Sequence, residues 1–178
     1  MFKIQASAQV LEHCEDQIGK YNFARRGYAD GKPEEQLTGI IGQSIVMDLF
    51  GLGYVDGEKG FDDGVDFVYN GKKVDVKTMG RTCDVCMDFT NNLLKAQTHF
   101  DTDIYLFCSY NKRNNELTVC GWISKEDCEK HRKFFAEGTW RTRANGTGFP
   151  SKADLYEIDM EYLNDVDSVE DLKSQLNQ

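Results

Sequence analysis

The stretch GVDFVYNGKKVDVKT, residues 64–78, contains two alternating runs of apolar and polar residues on either side of an Asn-Gly pair. Asn-Gly between alternating runs is the strongest short-range signal for a β-hairpin, because both central residues of its turn need a positive φ. A two-residue loop at Asn70 and Gly71 makes Tyr69 pair with Lys72. The sequence therefore predicts two antiparallel strands whose register is set by this turn.

Side chains alternate between the two sides of a strand, so this register sorts the hairpin into two faces. The apolar face is predicted to lie on the core, and it carries Val65, Phe67, Val74 and Val76. The other face is charged. On that face Asp66 is predicted to oppose Asp75, and Lys77 is predicted to oppose Gly64.

Two carboxylates directly opposed on one hairpin face need an explanation. Their Cβ atoms would lie about 4.5–5.5 Å apart, where like charges repel unless one acid is protonated. Mg²⁺ removes the conflict, because it prefers oxygen ligands and is typically held by one or two carboxylates plus substrate phosphates. We therefore expect Asp66 and Asp75 to bind Mg²⁺ or Mn²⁺, with Lys77 as a nearby cation or proton-transfer group. Asp62 has the same parity as Asp66 and is the alternative first acid, and an ordinary solvated hairpin face is the alternative to a metal site.

The pattern Asp66…Asp75-Val76-Lys77 resembles the PD-(D/E)XK nuclease superfamily, which includes type II restriction enzymes and archaeal Holliday-junction resolvases. The resemblance covers about residues 34–110 and implies a restriction-endonuclease-like α/β fold. Such a fold has a mixed central sheet flanked by helices, and its β-hairpin carries the active site. The resemblance also implies metal-dependent cleavage of DNA, in which Asp66 and Asp75 bind the metal, the Val76 carbonyl adds a ligand and Lys77 orients the water. No proline precedes Asp66, which leaves the identity of the first acid open.

Two glutamines are further candidates for this site. Pro33 and the acids after it favour a helix start, and the helix is predicted to run to about Phe50. Gln43 lies on its apolar face, where superfamily members place a Glu that reaches the metal, so the resemblance implies a catalytic role; a core glutamine bonded to backbone is the alternative. A second helix is predicted over residues 91–99, and the resemblance implies that Gln97 from this helix contacts nucleic acid near the scissile phosphate.

The composition is that of one globular domain. The chain has 178 residues, 40% of them hydrophobic, and two prolines. The nuclease-like core is predicted over about residues 34–123, followed by an acidic extension over residues 153–178. No apolar run is long enough to span a membrane, and the N-terminal residues lack a signal-peptide core, so we expect a soluble, cytoplasmic protein.

The net charge of −9 is unusual for a protein that binds nucleic acid, because phosphate binding depends on basic surface. The acidic extension over residues 153–178 carries eight acids and one lysine, which accounts for −7 of this charge. In contrast, the glycine-rich stretch over residues 138–152 has three cations and no acid. We expect these cations, Arg141, Arg143 and Lys152, to contact DNA; a flexible surface loop is the alternative.

The rest of the chain predicts ordinary elements. Helices are predicted over residues 6–21, 124–136 and 168–176, and strands over residues 104–108, 117–123 and 155–158. Ser124 begins a capping-box sequence, which marks the start of the middle helix.

Taken together, the residues and the resemblance favour a Mg²⁺- or Mn²⁺-dependent DNA endonuclease, and a homodimer would suit the cutting of both strands. Two other interpretations stay open. The chain could be an inactive nucleic-acid-binding protein on the same fold, with Gln43 marking the loss of the metal site. It could also be an acidic interaction protein or DNA mimic, although Lys77 beside two acids argues against that.

Overall fold

The structure is a computed structural model that describes residues 1–23, 31–59, 63–142 and 146–177. Within these ranges the chain forms four α-helices: α1 Ala8–Lys20, α2 Pro33–Leu49, α3 Lys125–His131 and α4 Val169–Leu176. It also forms ten strands: β1 Phe2–Gln5, β2 Phe67–Tyr69, β3 Lys72–Arg81, β4 Thr90–Leu94, β5 Ile104–Asn111, β6 Glu116–Ser124, β7 Lys133–Phe135, β8 Trp140–Thr142, β9 Gly148–Pro150 and β10 Leu155–Asp159. Single 3-10 turns span Gly57–Lys59, Lys95–Gln97 and Met160–Tyr162. No helix in the described ranges combines the length and apolar character that a membrane crossing requires.

The described strands form three sheets, so the predicted mixed α/β class is confirmed. The large sheet has the order β1-β6-β5-β3-β2, and β3 and β5 are its parallel pair. A small antiparallel sheet has the order β4-β10-β7, and β8 and β9 pair as a separate hairpin, called here the β8–β9 arm.

The Asn-Gly hairpin forms in the predicted register. Asn70 and Gly71 have φ values of 47° and 79°, so both adopt the left-handed conformation that this turn needs. The turn joins residues 67–69 to residues 72–74 in an antiparallel ladder. As predicted, Phe67 belongs to the core.

The large sheet separates two hydrophobic cores. The helix-side core lies under α1, α2 and α4, and it includes Val46, Val74, Val76, Leu106, Leu172 and Leu176. The sheet-side core lies under α3 and the small sheet, and it includes Leu93, Tyr105, Phe107, Ile123, Cys128 and Ile158. Because β5 is covered on both faces, all of its residues are buried.

Two helix predictions are wrong, and both errors involve pairing with β10. Residues 91–99 form β4 and a 3-10 turn, because the backbone of β4 pairs with β10 and the Asn91 amide donates to Met160 Sδ at 3.0 Å. The helix predicted to run to residue 136 ends at His131, because residues 133–135 become β7 on the other side of β10. The Ser124 cap is confirmed, since Ser124 Oγ accepts a hydrogen bond from Asp127 N at 3.0 Å.

Candidate active site

Asp75 and Lys77 form the centre of the candidate site. They lie two residues apart on β3, so both side chains point to the sheet-side face, where Asp75 pairs with Tyr105 in the β3–β5 ladder. Lys77 Nζ lies 2.7 Å from Asp75 Oδ2, and the side chains are only 13% and 3% exposed. Burial of a carboxylate is costly unless the charge is paired. The ion pair therefore explains how an acid can lie at this interior position.

Asp66 satisfies the open edge of β3 with its side chain. The β2–β3 ladder ends at Phe67, so β3 loses its strand partner on that side. Asp66 Oδ2 accepts a hydrogen bond from Val76 N at 2.6 Å, and Asp66 N donates to Val74 O at 2.9 Å. The carboxylate is thus bound to the amide that directly follows Asp75. This bond, rather than the predicted ladder pairing of the two acids, associates Asp66 with the site.

The ladder ends because the chain turns away at Asp63 and Gly64, whose φ values are 52° and 75°. The Gly64 carbonyl accepts a hydrogen bond from Thr102 Oγ1 at 2.8 Å. A Cβ at Gly64 would lie 2.4 Å from the Phe100 ring, so a side chain could not fit without displacing that ring. The predicted pairing of Gly64 with Lys77 is therefore wrong.

The donors around Val76 have the chemistry that a hard cation prefers. The Val76 N–H points toward Asp66, and the carbonyl of the same residue points to the same side of a β-strand. Two carboxylates and a carbonyl are suitable ligands for Mg²⁺ or Mn²⁺. Among the described residues, no three His, Cys, Asp or Glu side chains form a metal-binding group. Waters and substrate phosphates would therefore complete the coordination. Asp62, the alternative first acid, lies outside the described residues.

Gln43 lies on a helix that packs against the face of the sheet opposite to the Asp75–Lys77 pair. It lies on α2, which packs against the helix-side face of β3 so closely that a Cβ at Gly42 would be 2.0 Å from Thr78 Oγ1. Asp75 and Lys77 point to the sheet-side face. The helix that carries Gln43 and the Asp75–Lys77 pair therefore lie on opposite faces of β3, and the catalytic role of Gln43 stays a prediction.

Gln97 is an interior residue. It lies in the 3-10 turn Lys95–Gln97, and it is only 6% exposed. The turn is held at its start by a hydrogen bond from Lys95 N to Asp154 O, 3.1 Å long. A contact between Gln97 and DNA would thus have to form inside the protein rather than on its surface.

Arg141 anchors the β8–β9 arm and is not a free surface cation. Its guanidinium forms an ion pair with the Glu157 carboxylate, and the two side chains are 11% and 13% exposed. It also lies 5.0 Å from the ring centroids of Phe135 and Phe149. The structure therefore gives Arg141 a different environment from the one predicted for a DNA contact.

The other two cations that were predicted to contact DNA are Arg143 and Lys152, and only Lys152 belongs to the described residues. Arg143 lies outside the described residues. Lys152 has a side chain that is 79% exposed, and its Nζ lies 3.1 Å from Glu35 Oε1. Since exposed ion pairs contribute little to stability, Lys152 can exchange Glu35 for a phosphate at low cost.

Tyr105 is a site residue that sequence reasoning missed. It is 1% exposed, and its hydroxyl has no hydrogen-bond partner among the described residues. Burial raises the pKa of this phenol well above its ordinary value, and the negative charge of Asp75 raises it further. The signal in the sequence was a tyrosine within an otherwise apolar strand, but its position beside Asp75 depends on the parallel pairing of β3 with β5.

Comparisons with protein-family models, with curated proteins and with solved structures found no match for this chain.

Proposed function

We propose that this protein is a Mg²⁺- or Mn²⁺-dependent nuclease that hydrolyses phosphodiester bonds of DNA, acting as an endonuclease. One observation carries the proposal. A buried Asp75–Lys77 ion pair lies on β3, and the Asp66 carboxylate accepts a hydrogen bond from the amide of Val76, the residue between them. Interior charges are costly, and a hairpin needs no acid and lysine in its core. The cost is explained if the three side chains act together on a phosphate.

In this proposal Asp66, Asp75 and the Val76 carbonyl would hold the cation. When bound, such an ion supplies a water of lowered pKa and neutralises charge that develops on the phosphate. Lys77 would supply the second positive charge of the site, beside that of the ion. Its ammonium would hold the attacking water in line and donate hydrogen bonds to the phosphate oxygens as negative charge increases in the transition state.

The fold supports the proposal in part. The resemblance predicts a helix, a hairpin and a further strand, and α2, the β2–β3 hairpin and β5 follow in this order. Where the resemblance implies a second helix, the structure has β4 and a 3-10 turn. The restriction-endonuclease-like fold therefore belongs to the proposal, and so does a homodimer that would cut both strands.

The test is cleavage of a mixed set of DNA substrates, with supercoiled, linear duplex, junction and single-stranded forms, in Mg²⁺ and in EDTA. Wild type should cleave at least one substrate in Mg²⁺ and none in EDTA. Asp75→Asn, which keeps the shape of the side chain and removes its charge, should be inactive. No cleavage by wild type of any form, or equal cleavage in EDTA, would contradict the proposal.

A second candidate is a nucleic-acid-binding protein without catalysis. It is favoured by the direct contact of Lys77 with Asp75, because this ion pair neutralises the acid without a metal ion. Metal-independent DNA binding without cleavage would support this candidate. If the wild-type protein neither cleaves nor binds DNA, an acidic interaction protein remains as the third candidate.

A further inference from the structure

Trp140 is the most exposed of the large apolar side chains in the described part of the chain, at 69%. It lies on β8 and packs against Gly148 of the neighbouring strand. A Cβ at Gly148 would lie 2.4 Å from the indole Cε2 and Nε1 atoms, so the ring covers the glycine backbone closely. One surface of the indole is therefore supported by β9, while most of the side chain faces solvent.

The β8–β9 arm holds this indole in a fixed place. Side chains alternate along β8, so Arg141 points away from Trp140 and toward Glu157 of β10. The base of the arm is closed by two backbone hydrogen bonds of 2.8 Å, from Gly138 N to Ser151 O and from Ser151 N to Thr139 O. An exposed aromatic side chain on an anchored hairpin loses little entropy on binding, which favours a binding role over a chance exposure.

The charge around the arm indicates what kind of partner it fits. Residues 138–152 contain three cations and none of the 30 acids of a chain whose net charge is −9. Arg141 is already paired with Glu157, but Lys152 is 79% exposed and can exchange Glu35 for a phosphate. An aromatic surface with an exposed cation in the same acid-free stretch suits a polyanion with flat rings, as nucleic acid has. Bases inside a duplex are already stacked on each other, so a surface indole can stack on unpaired bases but on a duplex only at its ends.

We propose that Trp140 is a stacking platform for an unpaired base, and that the substrate contains a single-stranded segment such as an overhang, flap or junction arm. This inference rests on the proposed nuclease function for its link to catalysis. The arm is connected to β3 through side chains: Arg81 Nη2 donates to Thr90 O, and Thr90 Oγ1 donates to Glu157, the partner of Arg141. Arg81 is four residues after Lys77, or about 13 Å along the strand. These contacts connect the arm to the strand that carries the candidate site, and the inference assigns the arm and that site to the same single strand.

The test uses the two tryptophans of the chain. Trp122 is half-buried and donates its indole N–H to Gln175 Oε1 at 2.8 Å, so Trp122→Phe leaves Trp140 as the sole tryptophan on an unaltered arm. Excitation at the red edge of the absorption band selects tryptophan over the eight tyrosines. In EDTA and low salt, titration of this variant with oligo(dT) should quench its fluorescence, and a blunt duplex of equal length should quench it less. Trp140→Phe, in which only Trp122 emits, should show little quenching.

Affinity provides the second measurement. Trp140→Ala should weaken oligo(dT) binding by about fivefold to a hundredfold, the usual range for loss of one stacked base. Phe134→Ala is the matched control, because Phe134 is an exposed aromatic residue at 48% on β7, outside the arm; it should bind as wild type does. If Trp140→Ala is poorly folded, the quenching of Trp122→Phe decides alone.

The outcomes separate this inference from the nuclease proposal. Unchanged fluorescence of Trp140 with oligo(dT), or equal affinity of Trp140→Ala and wild type, would overturn the platform even if the protein cleaves DNA. Quenching with loss of affinity would establish the platform even if no cleavage occurs. If both proposals hold, Trp140→Ala should raise the KM for cleavage and leave the single-turnover rate at saturating substrate unchanged.

Discussion

The Asp66 carboxylate takes the place of a β-strand: it accepts the Val76 N–H at 2.6 Å where the β2–β3 ladder has ended. One side chain thus serves two needs, because it satisfies the edge of β3 and brings a negative charge beside Asp75. A purely structural role and a metal-binding role for Asp66 make different predictions, since only the second needs the charge.

Substitution of Asp66 separates these roles. Asp66→Asn retains an oxygen that can accept from Val76 N, so the free energy of unfolding should change little, while Mg²⁺ binding measured by calorimetry should be lost. Asp66→Ala removes the acceptor as well, and it should destabilise the fold by about 1.5–3 kcal/mol. Wild-type Mg²⁺ affinity in Asp66→Asn would show that the carboxylate is structural only.

Loss of Lys77 should destabilise the fold in a way that Mg²⁺ repairs. Lys77→Ala leaves the Asp75 carboxylate, 3% exposed, without its cation. Breaking a buried ion pair by removal of one partner costs about 3–5 kcal/mol. A divalent cation at Asp75 would replace the ammonium, so Mg²⁺ should raise the Tm of Lys77→Ala more than that of wild type. The same Tm shift in both proteins would argue that no cation binds at Asp75.

Arg141 should act on stability and Lys152 on binding. Arg141→Ala breaks an ion pair with Glu157 that is about nine-tenths buried, and it should lower the free energy of unfolding by about 2 kcal/mol or more. Lys152→Ala removes a cation that is 79% exposed, so its Tm should stay near that of wild type. If Lys152 contacts a phosphate, the slope of log K against log salt should fall by about one. A stable Arg141→Ala with a reduced slope would instead restore the predicted DNA contact for Arg141.

Tyr105 should make the fold sensitive to alkaline pH. Its pKa is raised in the folded state from the ordinary 10.0, by burial first and by Asp75 second. The folded protein therefore retains this proton where the unfolded chain releases it, so the contribution to stability is complete below pH 10 and is lost as the pH rises above it. Tyr105→Phe should be at least as stable as wild type at pH 8, because it removes a buried hydroxyl for which the described part of the chain provides no partner, and it should lose less stability above pH 10. Equal alkaline destabilisation in both proteins would show that other groups dominate.

The sequence predicts best those structural features that depend on residues close to one another in the chain. The hairpin register followed from Asn70 and Gly71, and the Ser124 cap followed from a local pattern. The end of the ladder at Phe67 depends on contacts of Gly64 with Phe100 and Thr102, which are distant in sequence. Such contacts are not visible in a local pattern of alternation.

The error at residues 91–99 and the unexpected environment of Arg141 have the same cause. The strand β4 forms because it pairs with β10, more than 50 residues later, and tertiary pairing overrides weak local helix signals. The sequence predicts a free cation at Arg141 in an acid-free stretch, but Glu157 of β10 lies against it. The position of Tyr105 beside Asp75 likewise required the parallel β3–β5 pairing.

Single-turnover cleavage of DNA by Lys77→Ala tests the central claim most directly. The matched control is Lys73→Ala, on the same strand, whose ion pair with Asp101 is exposed. Both variants are compared with wild type in saturating Mg²⁺, on the substrate that wild type cleaves best, at a temperature where all three are folded. The account predicts that Lys73→Ala cleaves as wild type does and that Lys77→Ala is slower by about 10²–10³. Cleavage by folded Lys77→Ala at the wild-type rate would contradict it.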